Sequence, residues 1–305
     1  MPLQETAVLA RIRALLPGGE DLQDDCGDLP PCAPGRRWLV TTDLMESDQH
    51  FRLDWHPPDL LAHKLLVVNL SDLDASGAKP YGYTLTLALG PEITEAWLET
   101  FLAGLAEASR EAQVVVIGGD TVGRPAGLGL GLTAFGQATR WLRRDGLQPG
   151  DTLFLDRLPG ASLRGLRKLQ AGQRWDPKRP DPDLAAHLAP APGLGLGLKL
   201  ASIPEVHACL DLSDGLSRDL RNLAQASGLS LVLEPGLDPD ALRGGEDYCR
   251  CFGSSLSQAD LESSLGIPLI SVAHAIAAGV APVLAYDGDS LQPLPDLSFD
   301  HFGRP

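Results

Sequence analysis

Aspartates occur in five short segments spread along the chain, and most of these segments follow a run of apolar residues. The segments are Asp24-Asp25, Thr41-Thr42-Asp43, Asn69-Leu70-Ser71-Asp72, Gly118-Gly119-Asp120 and Asp211-Leu212-Ser213-Asp214. We expect each to stand where a strand or helix ends, because open α/β sheets bind ligands outside the carboxyl ends of their strands. Two carboxylates roughly 4 Å apart repel by about 4 kcal/mol at an effective dielectric of ~20, so a converging set requires cations. Mg²⁺ suits such a set best, since it takes oxygen ligands and bridges to phosphate.

Each of these residues also has an ordinary structural explanation. Asp214, which precedes Gly215-Leu216, is typical of a helix N-cap. Asp43 is compatible with a turn, and His50 and Arg144 are compatible with packed or surface positions. The order of the segments and their flanking residues favour a chemical function over these separate explanations.

The bulk composition is that of a globular protein. The chain has 305 residues, of which 44% are hydrophobic and 21% charged, and this length favours two domains. The net charge of −15 argues against nucleic acid as a partner, because a phosphate-binding surface needs a basic excess. No apolar run approaches the ~20 residues of a membrane span, and the first residues do not resemble a signal peptide. We therefore expect a cytoplasmic protein with no membrane segment.

A helix is predicted over residues 59–79. Asp59 can cap it, and Gly77 and Pro80 stop it. Leu61, Leu65 and Val68 form an apolar stripe at helical spacing, and Asp72 falls on the same stripe. A carboxylate on a core-facing stripe needs a partner or a metal ion.

Strand and helix patterns occur in both halves of the chain. Alternation predicts a strand at 81–89, helical spacing predicts a helix at 94–111, and further strands are predicted at 114–117 and 128–135. Residues 144–151 are rich in turn formers, and beyond them the pattern restarts with a strand at 152–155, helices at 161–171 and from Leu216 to Gly228, and a strand at 230–233. The sequence thus predicts an α/β protein with domains at 1–138 and 149–305.

The chain lacks the common nucleotide-binding sequences. It has no GxxxxGK[ST] loop, no GxGxxG after a strand, and no protein-kinase HRD or DFG segments. A nucleotide would therefore be held through metal ions and loops of another kind.

Nine segments together resemble the thiamine-monophosphate kinase family, within the superfamily of aminoimidazole-ribotide synthetase and selenophosphate synthetase. They are DDC (24–26), TTD (41–43), HF (50–51), KLLVVNLSDLDASGAKP (64–80), IGGDT (117–121), RRDGLQPGD (143–151), LDLSDGLSRDL (210–220), GGEDY (244–248) and FDHF (299–302). They span nearly the whole chain in the order of the family. The combination of NLSDL, DLSDG and GGEDY is specific, whereas any one of them alone is weak.

The resemblance implies an enzyme that phosphorylates thiamine phosphate to thiamine diphosphate, with ATP as donor and ADP as product, by direct in-line transfer assisted by several Mg²⁺ ions. The implied metal ligands are Asp25, Thr41, Thr42, Asp43, Asp72, Asp120, Asp211 and Asp214. The implied ATP contacts are Gly119, Asp120, Arg144 and Ser213, and the implied thiamine phosphate contacts are His50, Glu246 and Phe299. Asp72, Asp120, Asp214 and Arg144 would serve catalysis most directly.

The resemblance also implies an architecture. The N-terminal domain would hold a mixed sheet that closes a barrel with its twin in a homodimer, and the C-terminal α/β domain would complete the active site. Two other readings stay open from the residues alone. One is a sister enzyme: a selenophosphate synthetase would carry a reactive Cys in a Gly-rich loop, and a hydrogenase-maturation enzyme would end in Cys rather than in Gly303-Arg304-Pro305. The other is a catalytically silent ATP- or metal-binding protein, which turnover of ATP with thiamine phosphate would exclude.

Overall fold

Two compact α/β units make up the chain. The computed structural model describes residues 4–22 and 26–297. The first unit comprises residues 1–73, 78–139 and 174–179, and the second comprises residues 74–77, 140–173 and 180–305. Each unit has its own β-sheet, so the mixed α/β fold class is confirmed. Among the described residues, no helix is both long and apolar enough to cross a membrane.

The first unit is built on a four-stranded mixed sheet. Its elements are α1 (Glu5–Leu15), a 3₁₀ turn (Gly19–Asp21), β1 (Arg37–Glu46), α2 (Pro58–Ala75), β2 (Lys79–Leu89), α3 (Glu95–Ala112), β3 (Val115–Gly123) and β4 (Leu128–Ala138). In the described part of the chain the strand order is β1-β4-β2-β3, so β1 and β3 form the two edges. β3 runs parallel to β2, and the other pairs are antiparallel.

The two faces of this sheet differ in burial. The inner face packs against α1, α2 and α3 through one apolar core that includes Val8, Leu65, Phe101, Leu87 and Leu132. The outer face leaves large apolar side chains in solvent: Val40 is 63% exposed, Leu44 61% and Val122 48%. The predicted apolar stripe of α2 lies in the core.

The second unit is built on a seven-stranded sheet. Its elements are β5 (Thr152–Leu155), α4 (Ala161–Gln170), α5 (Pro182–Leu188), α6 (Leu196–Ala201), β6 (Val206–Asp211), α7 (Leu216–Ser227), β7 (Leu229–Leu233), α8 (Pro239–Arg243), β8 (Arg250–Ser254), α9 (Gln258–Leu265), β9 (Ile270–Ala277), β10 (Val283–Asp287) and β11 (Ser290–Pro293). In the described residues the strand order is β11-β10-β7-β9-β5-β8-β6. Arg144–Gly146 form a 3₁₀ turn before β5.

The expectation that every aspartate segment ends a strand or helix is wrong for three segments. Residues 41–43 lie in the middle of β1, because β1 pairs with β4 along its whole length from Arg37 to Glu46. Residues 118–120 continue β3 rather than turning, because they remain paired with β2. Asp72 lies inside α2, which ends at Ala75. Only in the second unit is the expectation confirmed, where Asp211 is the last residue of β6.

The alternative reading of Asp214 as a helix N-cap is also wrong. Gly215 occupies the N-cap of α7, and no side chain accepts a hydrogen bond there from the helix. Gly215 has φ +112°, a conformation that favours glycine over residues with a Cβ. Asp214 is therefore not required to start α7.

Candidate active site

Asp72 contacts a threonine from the neighbouring strand. The Thr41 hydroxyl donates to Asp72 Oδ2 at 2.7 Å. Asp43 lies two residues after Thr41 in β1, so its side chain points to the same inner face of the sheet. Thr41, Asp43 and Asp72 are each half-buried. The structure thus places three of the predicted metal ligands on the inner face of one sheet, two of them in direct contact.

Thr42 lies on the other face of β1. Its hydroxyl donates to the carbonyl of Leu132 at 3.2 Å and accepts from the Thr133 hydroxyl at 2.9 Å. Side chains alternate across a strand, so Thr42 shares the outer face with Val40 and Leu44. The structure therefore does not bring the Thr42 hydroxyl to Asp72.

Asp120 also lies on the outer face. It pairs in register with Thr86 of β2, and its Oδ1 accepts from the backbone N–H of Thr121 at 2.9 Å. Since β1 and β3 form opposite edges of the sheet, one chain does not bring Asp120 next to Asp72. A cavity of about 160 Å³ in the first unit is lined by residues 118–121 together with Arg13, Asp21, Cys26 and Gly27.

Gly119 permits the close pairing at this point of β3. A Cβ at this position would overlap the carbonyl oxygen of Leu85 on β2. Any larger residue would push β3 away from β2. The glycine of the GGD segment is thus required by the sheet itself, whatever else binds there.

Two predicted loops meet in the second unit. The backbone N–H of Glu246 donates to the Ser213 carbonyl at 2.8 Å, and that of Tyr248 donates to the Leu212 carbonyl at 2.8 Å. The backbone N–H of Leu212 donates in turn to the Cys249 carbonyl at 2.9 Å. These bonds extend the antiparallel pairing of β6 with β8. They bring a predicted ATP contact, Ser213, next to a predicted substrate contact, Glu246.

A buried aspartate that sequence reasoning missed stands beside these loops. Asp219 in the first turn of α7 is only 2% exposed, and its Oδ2 accepts from the N–H groups of Asp214 and Gly215 at 3.1 and 3.2 Å. Burial, followed by the charge of Asp214, raises the pKa of Asp219 to about 7. Asp211 adds to this rise and Arg144 opposes it.

The Asp219 environment therefore shows that Asp211, Asp214 and Arg144 lie in one neighbourhood. A signal for Asp219 was present in the sequence, because it stands five residues after Asp214 within LSDGLSRDL. A carboxylate in the first turn of a helix can accept from the backbone N–H groups just before that helix, as Asp219 does from Asp214 and Gly215.

Of the remaining predicted site residues, the structure describes His50 but not Asp25 or Phe299. His50 follows β1, and its Nδ1 accepts from the backbone N–H of Glu46 at 2.9 Å. Nδ1 is therefore unprotonated, and the neutral ring carries its hydrogen on Nε2. Asp25 and Phe299 lie outside the described residues.

Comparison with known proteins decides the family. The family model for AIR synthase related protein, N-terminal domain, matches residues 23–138. Thiamine-monophosphate kinase of Escherichia coli K12 is 36% identical over 304 residues, covering 92% of this chain and 91% of that protein. This chain belongs to the thiamine-monophosphate kinase family. The prediction of an enzyme of the kinase class is confirmed by this membership.

Solved structures agree with the family. Thiamine-monophosphate kinase from Stenotrophomonas maltophilia K279a is 32% identical, with a TM-score of 0.75, and the match covers 93% of this chain and 97% of that one. A structure named AaThiL complexed with AMPPCP and TMP has a TM-score of 0.73 at 23% identity, with 93% and 95% coverage, and thus shares the fold.

The donor set of this family member fits Mg²⁺ bound together with phosphate. Among the described residues, no three His, Cys, Asp or Glu side chains are placed to hold a metal ion by themselves. Mg²⁺ does not need such a cage, since it is commonly bound by one or two carboxylates, waters and the phosphates of a substrate. The Thr41–Asp72 pair with Asp43, and the Asp211 and Asp214 carboxylates beside Asp219, offer oxygen donors of that kind.

Proposed function

We propose that this protein transfers the γ-phosphoryl group of ATP to thiamine phosphate, which gives thiamine diphosphate and ADP. The observation that carries the proposal is the 36% identity to the E. coli kinase over nearly the whole chain. The complex of AaThiL with AMPPCP and TMP, a protein of the same fold, supports the choice of reactants.

The reaction needs no protein base. The acceptor is a phosphate monoester with a second pKa near ~6, so at pH 7 it is mostly a dianion. One of its oxygens forms the new bond to the γ-phosphorus, and the bond from that phosphorus to the β–γ bridging oxygen breaks. ADP leaves with the electron pair of that bond. The protein must therefore align two polyanions rather than remove a proton.

Mg²⁺ ions held by the acidic groups would neutralise charge on the phosphates when bound. In the first unit the proposed ligands are Asp43 and Asp72 on the inner face, with Asp120 on the outer face. In the second unit they are Asp211 and Asp214. The Thr41 hydroxyl already donates to Asp72, which fixes the direction of that carboxylate before any ligand binds.

The remaining groups match the reactants in charge. Arg144 near the acidic group of the second unit would bind phosphate oxygens, and Ser213 and Gly119 would contact ATP through the backbone segments that carry them. The thiazolium ring of thiamine is a cation, so the carboxylate of Glu246 suits it. His50, and Phe299 beyond the described residues, complete the proposed contacts.

We further propose a homodimer through the outer face of the first unit. Three large apolar side chains on this face are exposed, Val40 and Leu44 on β1 and Val122 on β3, and exposed apolar surface favours an interface. Both edges of this sheet, β1 and β3, are open in the described chain. A symmetric barrel of two copies would cover that face and those edges.

A product analysis tests the proposed reaction. Purified protein is incubated with ATP, Mg²⁺ and thiamine phosphate, and nucleotides and thiamine species are separated by chromatography. We expect equal amounts of ADP and thiamine diphosphate. Formation of AMP, or equally fast phosphorylation of free thiamine, would exclude the proposed reaction, and no turnover would favour the silent binding protein.

A further inference from the structure

We infer that His187 is a positioning residue that orients the carboxylate of Glu246 toward the thiazolium of the substrate, an inference that rests on the proposed function. His187 lies on α5 and is only 4% exposed. Its Nδ1 is 3.3 Å from Glu246 Oε2 and 3.0 Å from the Ser162 hydroxyl. Nδ1 therefore lies close to two oxygens, one of which belongs to the proposed substrate contact.

The packing of α4 against α5 fixes where His187 stands. The Asp181 carboxylate caps α5 by accepting from the N–H groups of Asp183 and Leu184. On α4, a Cβ at Gly165 would overlap the Asp183 carbonyl and lie 3.0 Å from the His187 Cβ. This glycine allows the two helices to approach closely. The imidazole is consequently held against the first turn of α4, which carries Ser162.

The backbone of the Glu246 loop is fixed separately from the Glu246 side chain. The Asp247 carboxylate accepts from the N–H groups of Gly160 at 2.6 Å and Ser162 at 3.2 Å. The Arg157 guanidinium donates to the Asp247 carbonyl at 2.8 Å, and the backbone N–H of Glu246 donates to the Ser213 carbonyl. These bonds fix the backbone of the loop on both sides of the Glu246 side chain.

Glu246 adopts an unusual backbone conformation in this loop. Its φ is +61°, in the left-handed region, and Tyr248 nearby has φ +50°. Such conformations are unfavourable for non-glycine residues and persist where the surroundings hold them. The result is a carboxylate that is held against α5 yet remains about one-third exposed, so a ligand can reach it. With the backbone fixed by other bonds, the contact with His187 acts on the direction of the Glu246 carboxylate itself.

The experiment compares three substitutions of His187 by steady-state kinetics. His187→Ala removes the Nδ1 contact, His187→Asn places an amide N–H near the position of Nδ1, and His187→Gln places it farther out. A hydrogen bond to a charged group contributes about 1.5–3 kcal/mol, so we expect His187→Ala to raise the KM for thiamine phosphate at least about 10-fold. The KM for ATP and kcat should stay within about twofold, since Glu246 contacts only the acceptor. The KM for thiamine phosphate of His187→Asn should lie close to the wild-type value, whereas that of His187→Gln should stay raised as in His187→Ala.

A matched control separates positioning from loss of stability. His207 also pairs through Nδ1 with a buried carboxylate, Asp151 at 2.9 Å, elsewhere in the same unit. His207→Ala should lower the melting temperature without changing the KM for thiamine phosphate. Should His187→Ala fail to fold, the Asn and Gln variants still decide the question.

The possible results distinguish the inference from the proposed function. If the wild-type protein does not phosphorylate thiamine phosphate, both are rejected. If the wild type is active and the folded His187 variants have an unchanged KM for thiamine phosphate, only the positioning role is rejected. It is rejected as well if both KM values and kcat change together, or if Asn and Gln behave alike.

Discussion

Replacing Asp74 should destabilise the second unit strongly. Asp74 is 1% exposed and Arg250 is 0% exposed, and Asp74 Oδ2 accepts from Arg250 Nε at 2.9 Å and Nη2 at 2.7 Å. The same carboxylate accepts from the N–H groups of Gly195 at 2.6 Å and Gly197 at 3.0 Å. Asp74→Asn removes the negative charge that is hydrogen-bonded to the buried guanidinium and turns one acceptor into a donor. Removing one partner of a buried ion pair costs about 3–5 kcal/mol.

Urea unfolding followed by circular dichroism measures this loss. With an m-value of about 3 kcal/mol per M, a loss of about 4 kcal/mol lowers the midpoint by more than ~1 M. The double variant Asp74→Asn, Arg250→Met should recover part of that loss, because it also removes the buried positive charge that Asp74 neutralises. Comparison of the single variants with the double variant in a double-mutant cycle therefore tests the cause of the destabilisation as well as its size.

An exposed ion pair provides the control. Arg143 and Asp145 are bonded at 2.8 Å, but their side chains are 52% and 44% exposed. Asp145→Asn should leave the midpoint within error, because water screens such pairs. The reasoning fails if Asp74→Asn behaves like Asp145→Asn, or if the double variant is as unstable as the sum of the single variants.

Further predictions concern catalysis, metal, assembly and pH. Asp72→Asn should lower kcat by far more than 10-fold, a barrier change above ~1.4 kcal/mol, while circular dichroism stays unchanged; retention of a tenth of the activity would reject its proposed role as a ligand. Removal of divalent ions with EDTA should abolish turnover, and added Mg²⁺ should restore it in a direct activity assay. Light scattering should give about twice the chain mass of 32.4 kDa, and Val40→Asp with Leu44→Asp should give a monomer. Burial raises the pKa of Tyr83 to about 12. Stability from this residue should therefore be present below its ordinary pKa of about 10 and be lost as pH rises toward 12, and Tyr83→Phe should flatten that loss in urea titrations.

Local sequence signals predicted those elements whose ends are determined by nearby residues. The helix predicted at 94–111 is α3, and Thr94 caps it by accepting from the Trp97 N–H. Gly228 ends α7 in the left-handed conformation. The predicted strand at 152–155 is β5 with the same bounds. In each case the deciding atoms lie within a few residues of the boundary.

Strand lengths and the order of strands in each sheet could not be predicted from nearby residues. β1 extends through Thr41 to Asp43 only because β4, about ninety residues later in the chain, pairs with it. The two faces of that strand separate Thr42 from its neighbours, which the motif alone does not reveal. Strands β9 to β11 were not predicted, since their apolar residues gain their partners from a sheet whose order is not the order of the chain.

The NLSDLDASGA segment shows how one motif holds two carboxylates with different tasks. Asp72 is half-buried, and its Oδ2 accepts from the Thr41 hydroxyl, so its carboxylate keeps the partial exposure that a ligand requires. Asp74, two residues later, is fully buried and surrounded by four N–H donors, so its charge is already compensated within the protein. Residues two apart on a helix face different directions, and the spacing alone therefore separates the two environments. Exposure thus separates Asp72, which a ligand can reach, from Asp74, whose carboxylate is already bonded within the fold.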